Sequence, residues 1–148
     1  MVSIDQIKKL REETGISINE CKKALEESGG DLEKAKELLK KAGTLLAQKK
    51  AQRETKHGIV EAYIHSNKKI GVMIELLCES DFVANLKEFQ NLAHELCLQV
   101  AAISPEEQAL MEQPWIKDPT RKVKDLIEEH IAKFGENIVV GKIFRIQI

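Results

Sequence analysis

Apolar residues recur every three or four positions up to about Gly58 and close to every second position in the stretch that follows. In the first stretch, Ser3-Ile4-Asp5-Gln6 has the form of a capping box and opens a helix with Ile4, Ile7 and Leu10 on one face, ended by Gly15. Ser17-Ile18-Asn19-Glu20 repeats the signal, and the helix it starts turns Cys21, Ala24 and Leu25 inward before Gly29-Gly30. Asp31 caps a third helix whose inner stripe is Leu32, Ala35, Leu38, Leu39 and Ala42, closed by Gly43. Helices this short are marginal alone and need one another to bury their stripes. Residues 1–43 are therefore expected to form a three-helix bundle of the ubiquitin-associated type. Residues 44–57 have good helix formers but a thin apolar stripe, and Lys49, Lys50, Arg53 and Lys56 face the single acid Glu54; they read as a basic helical linker.

Residues 58–148 read as an α+β core. Ile59 to His65 is strand-like, Ser66-Asn67-Lys68-Lys69 is a turn, and Ile70 to Cys78 returns as a second strand. A long amphipathic pattern from Leu86 to Ala102 carries Phe89, Leu92, Ala93, Leu96 and Val100 inward. Ser104-Pro105-Glu106-Glu107 is expected to begin another helical turn, and Pro114 and Pro119 to frame a loop holding Trp115. Asp118-Pro119 then caps a helix with Val123, Leu126, Ile127, Ile131 and Phe134 inside, stopped by Gly135. Ile138 to Ile148 alternates as a third strand, with Ile138, Val140, Phe144, Ile146 and Ile148 on one face. The fold class is α+β: the helical bundle, the linker, then a small three-stranded antiparallel sheet packed with helices.

Between the second strand and the long helix lies Cys78-Glu79-Ser80-Asp81-Phe82-Val83-Ala84-Asn85. A short side-chain oxygen at a strand exit satisfies free backbone N–H groups in the turn that follows. Phe82 falls at the tip of that turn, and one aromatic on a short polar loop between rigid elements suits a partner's pocket. The plainer reading is that Asp81 only caps and Phe82 folds back onto the core.

The 148 residues are 32% charged and 4% aromatic, so the core is aliphatic. Lysines and arginines number 23 against 24 acids, a near-balance that argues against a dedicated nucleic-acid binder. No apolar run reaches the roughly 20 residues needed to span a bilayer, and no signal peptide or transit segment precedes the first helix; a bacterial cytoplasm is expected. Cys21, Cys78 and Cys97 are widely separated and lie in buried patterns, which suits reduced packing residues. The histidines at 57, 65, 94 and 130 show no metal-ligand spacing with one another or with cysteine; His65 and His94 could meet in space but read as surface or hydrogen-bonded residues, and no metal or cofactor is expected.

Gly135 to Lys142 looks briefly like a phosphate-binding loop. Its glycines are separated by five residues, Ile143 replaces the required hydroxyl, and a strand pattern follows where a helix should start. No nucleophile, base and oxyanion site assemble elsewhere, so the chain reads as a non-enzyme acting through contacts.

Four blocks taken in order resemble bacterial elongation factor Ts, the exchange factor for the translational GTPase elongation factor Tu. They are Lys9-Leu10-Arg11-Glu12-Glu13-Thr14-Gly15-Ile16 continuing through Cys21-Lys22-Lys23-Ala24-Leu25; Gly29-Gly30-Asp31 with Ala35 and the basic linker; Cys78 to Ala84; and Ile131 to Ile138. The resemblance implies a guanine-nucleotide exchange factor that binds elongation factor Tu in GDP-bound and nucleotide-free forms. It makes Ser80, Asp81, Phe82 and Val83 a wedge that disturbs the magnesium and phosphate site of the GTPase, with Phe82 the apolar tip and Asp81 its polar partner. The family usually has Thr at the position of Ser80. The resemblance also implies a second contact through Lys8, Arg11, Ile18, Asn19 and Lys22, where relatives often carry methionine in place of Ile18 and Asn19. Longer members hold two versions of the sheet module and short ones pair as homodimers. One module here implies a homodimer through a sheet face including Phe144 and Ile146. Phe144 stands in the region where some short members have a linking cysteine, and the chain is shorter than those relatives between Ala102 and Pro114.

Two other readings compete. The basic linker suits an RNA- or ribosome-associated protein, whose binding falls steeply with salt. The bundle suits a binder of ubiquitin-like folds, on fold analogy alone. Only the exchange factor accounts for the Asp81-Phe82 loop and the bundle in one chain.

Overall fold

A computed structural model describes residues 2–148. In chain order its elements are α1 (Ile4–Thr14), α2 (Ile18–Glu27), α3 (Leu32–Lys50), β1 (His57–Ile64), β2 (Ile70–Cys78), α4 (Asp81–Ala84), α5 (Lys87–Ala102), β3 (Pro114–Trp115), β4 (Asp118–Lys122), α6 (Val123–Phe134) and β5 (Ile138–Gln147), with a 3₁₀ turn at Leu110–Glu112. The fold class is α+β, as the change of period predicts. The described residues divide into two units. One holds the chain up to Lys50 with Glu128–Gly135, and the other holds Ala51–Ile127 with Glu136–Ile148, so the boundary falls inside α6.

In the first unit the cap signals operate as their chemistry requires. Ser3 and Gln6 form the reciprocal capping box, and the Gly15 amide donates to the Arg11 carbonyl at the left-handed end of α1. The Ser17 hydroxyl accepts from the Glu20 amide, and the Asp31 carboxylate accepts from the amides of Glu33 and Lys34. Leu10, Cys21, Ala24, Leu25, Ala35 and Leu39 make the core. Three expectations fail here. Ile4 is exposed, because Val2 and Ile7 are the apolar residues that pack against that core at this end of α1. Gly43 does not close the third helix: α3 runs on to Lys50, and its inner stripe is Ala35, Leu39, Gly43 and Ala47, with Ala42 exposed. A Cβ at Gly43 would meet that of Ala132 at 3.7 Å, and the Thr44 hydroxyl donates to the Glu128 carboxylate at 2.8 Å, so contacts along one side carry the helix through the glycine. Of the expected helical linker, 44–50 is the end of α3 and 51–56 is not helical.

In the second unit β2 is the central strand of an antiparallel sheet in the order β1-β2-β5. Val72, Ile74, Leu76 and Cys78 alternate onto one face, where Phe89, Leu92, Ala93, Leu96, Cys97 and Val100 of α5 are also buried. The Arg145 guanidinium on β5 donates to the Val100 and Ala101 carbonyls at 2.8 and 3.0 Å, placing a cation at the negative end of α5. The expected single face of β5 is not observed. Ile143 pairs with Ile74 and Val140 with Leu76, leaving Gly141 and Lys142 opposite Glu75 alone. This bulge, held by the Lys142 amide on the Glu75 carboxylate at 2.8 Å, flips the later side chains. Ile138 faces the core, whereas Phe144 and Ile146 are exposed on the other side.

The segment before α6 also differs. Ser104 to Glu107 makes a hydrogen-bonded turn and no helix. Pro114 and Pro119 lie within a short hairpin, β3–β4, in place of a loop, and Asp118 belongs to β4 and does not cap α6. The Asp125 carboxylate instead accepts from the Lys122 amide. The hairpin is fixed by two fully buried amides. Gln99 donates to Gln113 Oε1 and the Pro114 carbonyl and accepts from the Ile116 amide, while Gln113 donates to the Ile103 and Gln108 carbonyls. Every polar atom of both side chains is engaged, which is the condition for burying them.

Candidate functional site

Strand β2 ends at Cys78 and one turn of helix follows at once. Ser80 is the cap of that turn: its backbone is extended and its hydroxyl accepts from the Val83 amide at 3.3 Å. Val83 and Ala84 are buried, so the turn is rooted in the core on one side. The opposite side carries Asp81 and Phe82, both exposed, and Phe82 leaves 75% of its surface to solvent. The plainer reading in which Asp81 caps and Phe82 folds inward is thereby excluded. At the far end Asn85 closes the turn, its amide and its side chain both donating to the Asp81 carbonyl.

Glu136, 56 residues beyond Ser80 and just before β5, reaches the start of the turn. Its Oε1 accepts from the Glu79 and Ser80 amides at 3.1 and 2.9 Å, and its Oε2 accepts from the Ser80 hydroxyl at 2.5 Å. The contact is returned, because the Glu79 carboxylate accepts from the Asn137 amide at 2.6 Å and lies 3.6 Å from the Arg53 guanidinium. Asn137 is buried and donates its side-chain amide to the Arg53 carbonyl at 3.0 Å. Gly135, with φ of 72°, supplies the left-handed residue that ends α6 immediately before Glu136. Burial, followed by the Glu136 charge, pushes the Cys78 thiol at the base of the loop up to about 11.

The other predicted contact residues lie in the first unit. Lys8 and Arg11 are exposed on α1, and Ile18, Asn19 and Lys22 are exposed on α2. Ile18 stands out as an apolar side chain 51% exposed, and Lys22 is 4.0 Å from Glu26 across one helical turn. The cations of the basic segment have intramolecular partners at three positions: Lys50 donates to the Gly135 carbonyl, Arg53 pairs with Glu79 and Lys56 with Glu54. The sequence pattern selects Ser80 to Val83 but gives Glu136, Glu79 and Asn137 no task and places Arg53 only in the basic linker. For Glu136 and Asn137 the available signal was the run Phe134-Gly135-Glu136-Asn137, which carries a helix stop, an acid and an amide before a strand.

No helix among the described residues is long and apolar enough to cross a membrane. Tyr63 contacts both His65 and His94, its hydroxyl 2.9 Å from His65 Nδ1 and its ring 6.1 Å from that of His94.

A family model described as Elongation factor TS matches residues 5–106 and again 79–148. The chain is 41% identical over 192 residues to the elongation factor Ts of Thermodesulfovibrio yellowstonii, covering 99% of this chain and 96% of that relative. It is 44% identical over 191 residues to that of Thermotoga maritima, with the same coverage of 99% and 96%. Against that of Caldanaerobacter subterraneus subsp. tengcongensis the identity is 38% over 193 residues, covering 99% and 96%.

Proposed function

Because this chain belongs to the elongation factor Ts family and so to the translation factors of protein biosynthesis, we propose that it promotes GDP release from elongation factor Tu, with Phe82 as the wedge. The observation that carries this reading is an aromatic side chain 75% exposed on a helical turn whose neighbours Val83 and Ala84 are buried. A rigid root with an apolar tip can transmit force into a partner, whereas a mobile loop would give way. Burying such a side chain contributes roughly 1.5–3 kcal/mol. That energy weakens nucleotide binding only where wedge and nucleotide compete. By linkage, incoming nucleotide then loosens the factor to the same extent, which completes the cycle. Asp81, exposed beside Phe82, supplies the polar contact near the magnesium and phosphate site, and the patch of Lys8, Arg11, Ile18, Asn19 and Lys22 supplies a second hold on the GTPase. The reaction needs no bond made or broken by this chain, so it acts as a non-enzyme in the cytoplasm. A second copy joins through the outer sheet face that carries Phe144 and Ile146.

The test is release of a fluorescent GDP analogue from the cognate elongation factor Tu. Phe82→Ala removes an anchor of about 2 kcal/mol, so its acceleration should fall about 30-fold at equal factor concentration. Acceleration that survives this substitution would place the decisive contact elsewhere.

A further inference from the structure

We infer that Glu136 is a positioning residue for nucleotide exchange, holding the turn that carries Phe82 at the angle the wedge requires. This rests on the reading of Phe82 given above. The helix α4 has four residues and cannot hold itself, since a single helical turn fixes several dihedrals for one hydrogen bond. Its exit is rooted by Val83 and Ala84, but its entry lies at the partly buried Glu79-Ser80 step, outside the β1–β2 ladder.

Glu136 fixes that entry. A single carboxylate takes both successive backbone amides and the capping hydroxyl, at 3.1, 2.9 and 2.5 Å. Hydrogen bonds to an ionised acceptor are the strong ones, and three converging from one turn define its orientation. The Ser80 hydroxyl is thereby oriented too: its proton points at Glu136, which leaves its lone pairs for the Val83 amide. The chain just after Glu136 is itself held in place. Asn137, the next residue, gives its amide to Glu79 and its side chain to the Arg53 carbonyl. Two distant turns therefore grip each other through reciprocal carboxylate–amide bonds, and Phe82 projects from one of them. Glu136 touches no partner in this role; it acts through Ser80 and the turn.

The experiment compares Glu136→Ala and Glu136→Gln with wild type in the GDP-release assay, each also in the Phe82→Ala background. Thermal unfolding followed by circular dichroism checks that each variant is folded. Gln keeps an acceptor for the two backbone amides and meets the Ser80 oxygen with its own amide. The expected result is a loss of about tenfold or more for Ala, a loss within about threefold for Gln, and no further loss from Glu136→Ala once Phe82 is absent. That is the non-additivity of groups acting as one unit. Wild-type acceleration by Glu136→Ala, while Phe82→Ala has lost it, overturns the inference and leaves the wedge standing. Equal losses for Ala and Gln, or the same factor lost again without Phe82, overturn it as well by showing a separate contact. Undiminished acceleration by Phe82→Ala sinks the wedge reading, and the inference with it. If Glu136→Ala does not fold, Ser80→Ala and Ser80→Thr carry the comparison. Thr keeps the hydroxyl and should restore the rate, whereas rates equally low or equally high in both overturn the clamp.

Discussion

Phe82 on α4 and Phe89 on α5 lie seven residues apart in the chain and meet opposite fates, one 75% exposed and the other fully buried. The same side chain is worth roughly 1.5–3 kcal/mol when taken out of water, so exposing Phe82 forgoes stability that only a partner recovers. The cysteines follow the opposite logic. Burial pushes the thiol of Cys97 up to about 12, with the Glu61 charge adding to it, and that of Cys78 to about 11. A raised folded-state value means the native protein holds its proton where the unfolded chain, titrating near 8.5, has lost it. The stabilisation is fully present below about pH 8.5 and is lost as pH climbs toward those folded values. Urea unfolding midpoints should therefore fall between pH 8 and pH 10, and Cys97→Ala should show a smaller fall than wild type. An identical fall would assign the pH dependence to other groups. At pH 8 alkylation of the thiols should be slow and should follow opening of the fold.

At the scale of elements, α3 gives the clearest test of what holds a helix together. Glycine at position 43 lowers local helix propensity, yet the helix passes through it because Gly43 is buried and its neighbours pack. A Cβ added there meets Ala132 at 3.7 Å and the Glu128 carbonyl at 3.9 Å, both ordinary contacts. Gly43→Ala should accordingly raise stability by about 0.5–1 kcal/mol, read as a higher urea midpoint with unchanged slope; a lower midpoint would mean those contacts cannot accommodate a methyl group. The same position shows why part of the fold was hard to read from sequence. Capped helices, the β1–β2 hairpin and α5 were legible because their signals are local: Ser3 with Gln6, the turn at Ser66 to Lys69, and the stripe from Phe89 to Val100. Gly43 reads as a stop unless the packing against Ala132 is known. The β3–β4 hairpin depends on the buried Gln99–Gln113 pair, and the flip in β5 depends on Glu75, so neither has a local signature. The candidate site divides in the same way. Ser80 to Val83 announces itself in four consecutive residues, whereas the Glu136 grip exists only once chain folding brings positions 56 apart together.

At the scale of the whole molecule, the three-stranded sheet has one face turned to its core and another turned to solvent. On the outer face the register sets Ala62 beside Met73 beside Phe144, and Ile64 beside Gly71 beside Ile146. Val60, Ile64, Met73, Phe144 and Ile146 are all exposed, with Ile146 at 70%. Monomeric proteins seldom present a continuous apolar patch of more than a few hundred Å², and a standard interface takes about 800 Å² from each partner. The bulge at Glu75 adds Phe144 and Ile146 to this patch, because it turns them away from the core face that Ile138 shares. All three cysteines are buried and unpaired, so association through this face has to be non-covalent and indifferent to reductant. Light scattering at tens of micromolar is therefore expected to give twice the monomer mass, and Phe144→Lys with Ile146→Lys to give the monomer with unchanged circular dichroism. Like charges facing each other across a two-fold interface repel as well as remove apolar contact, so the double substitution should suffice. A wild-type monomer at that concentration would rule the pairing out. If the dimer forms, the monomeric variant also separates two roles of the sheet. Exchange that persists in it would show that one Phe82 wedge acts alone, and exchange that disappears would show that the second module completes the hold on the GTPase.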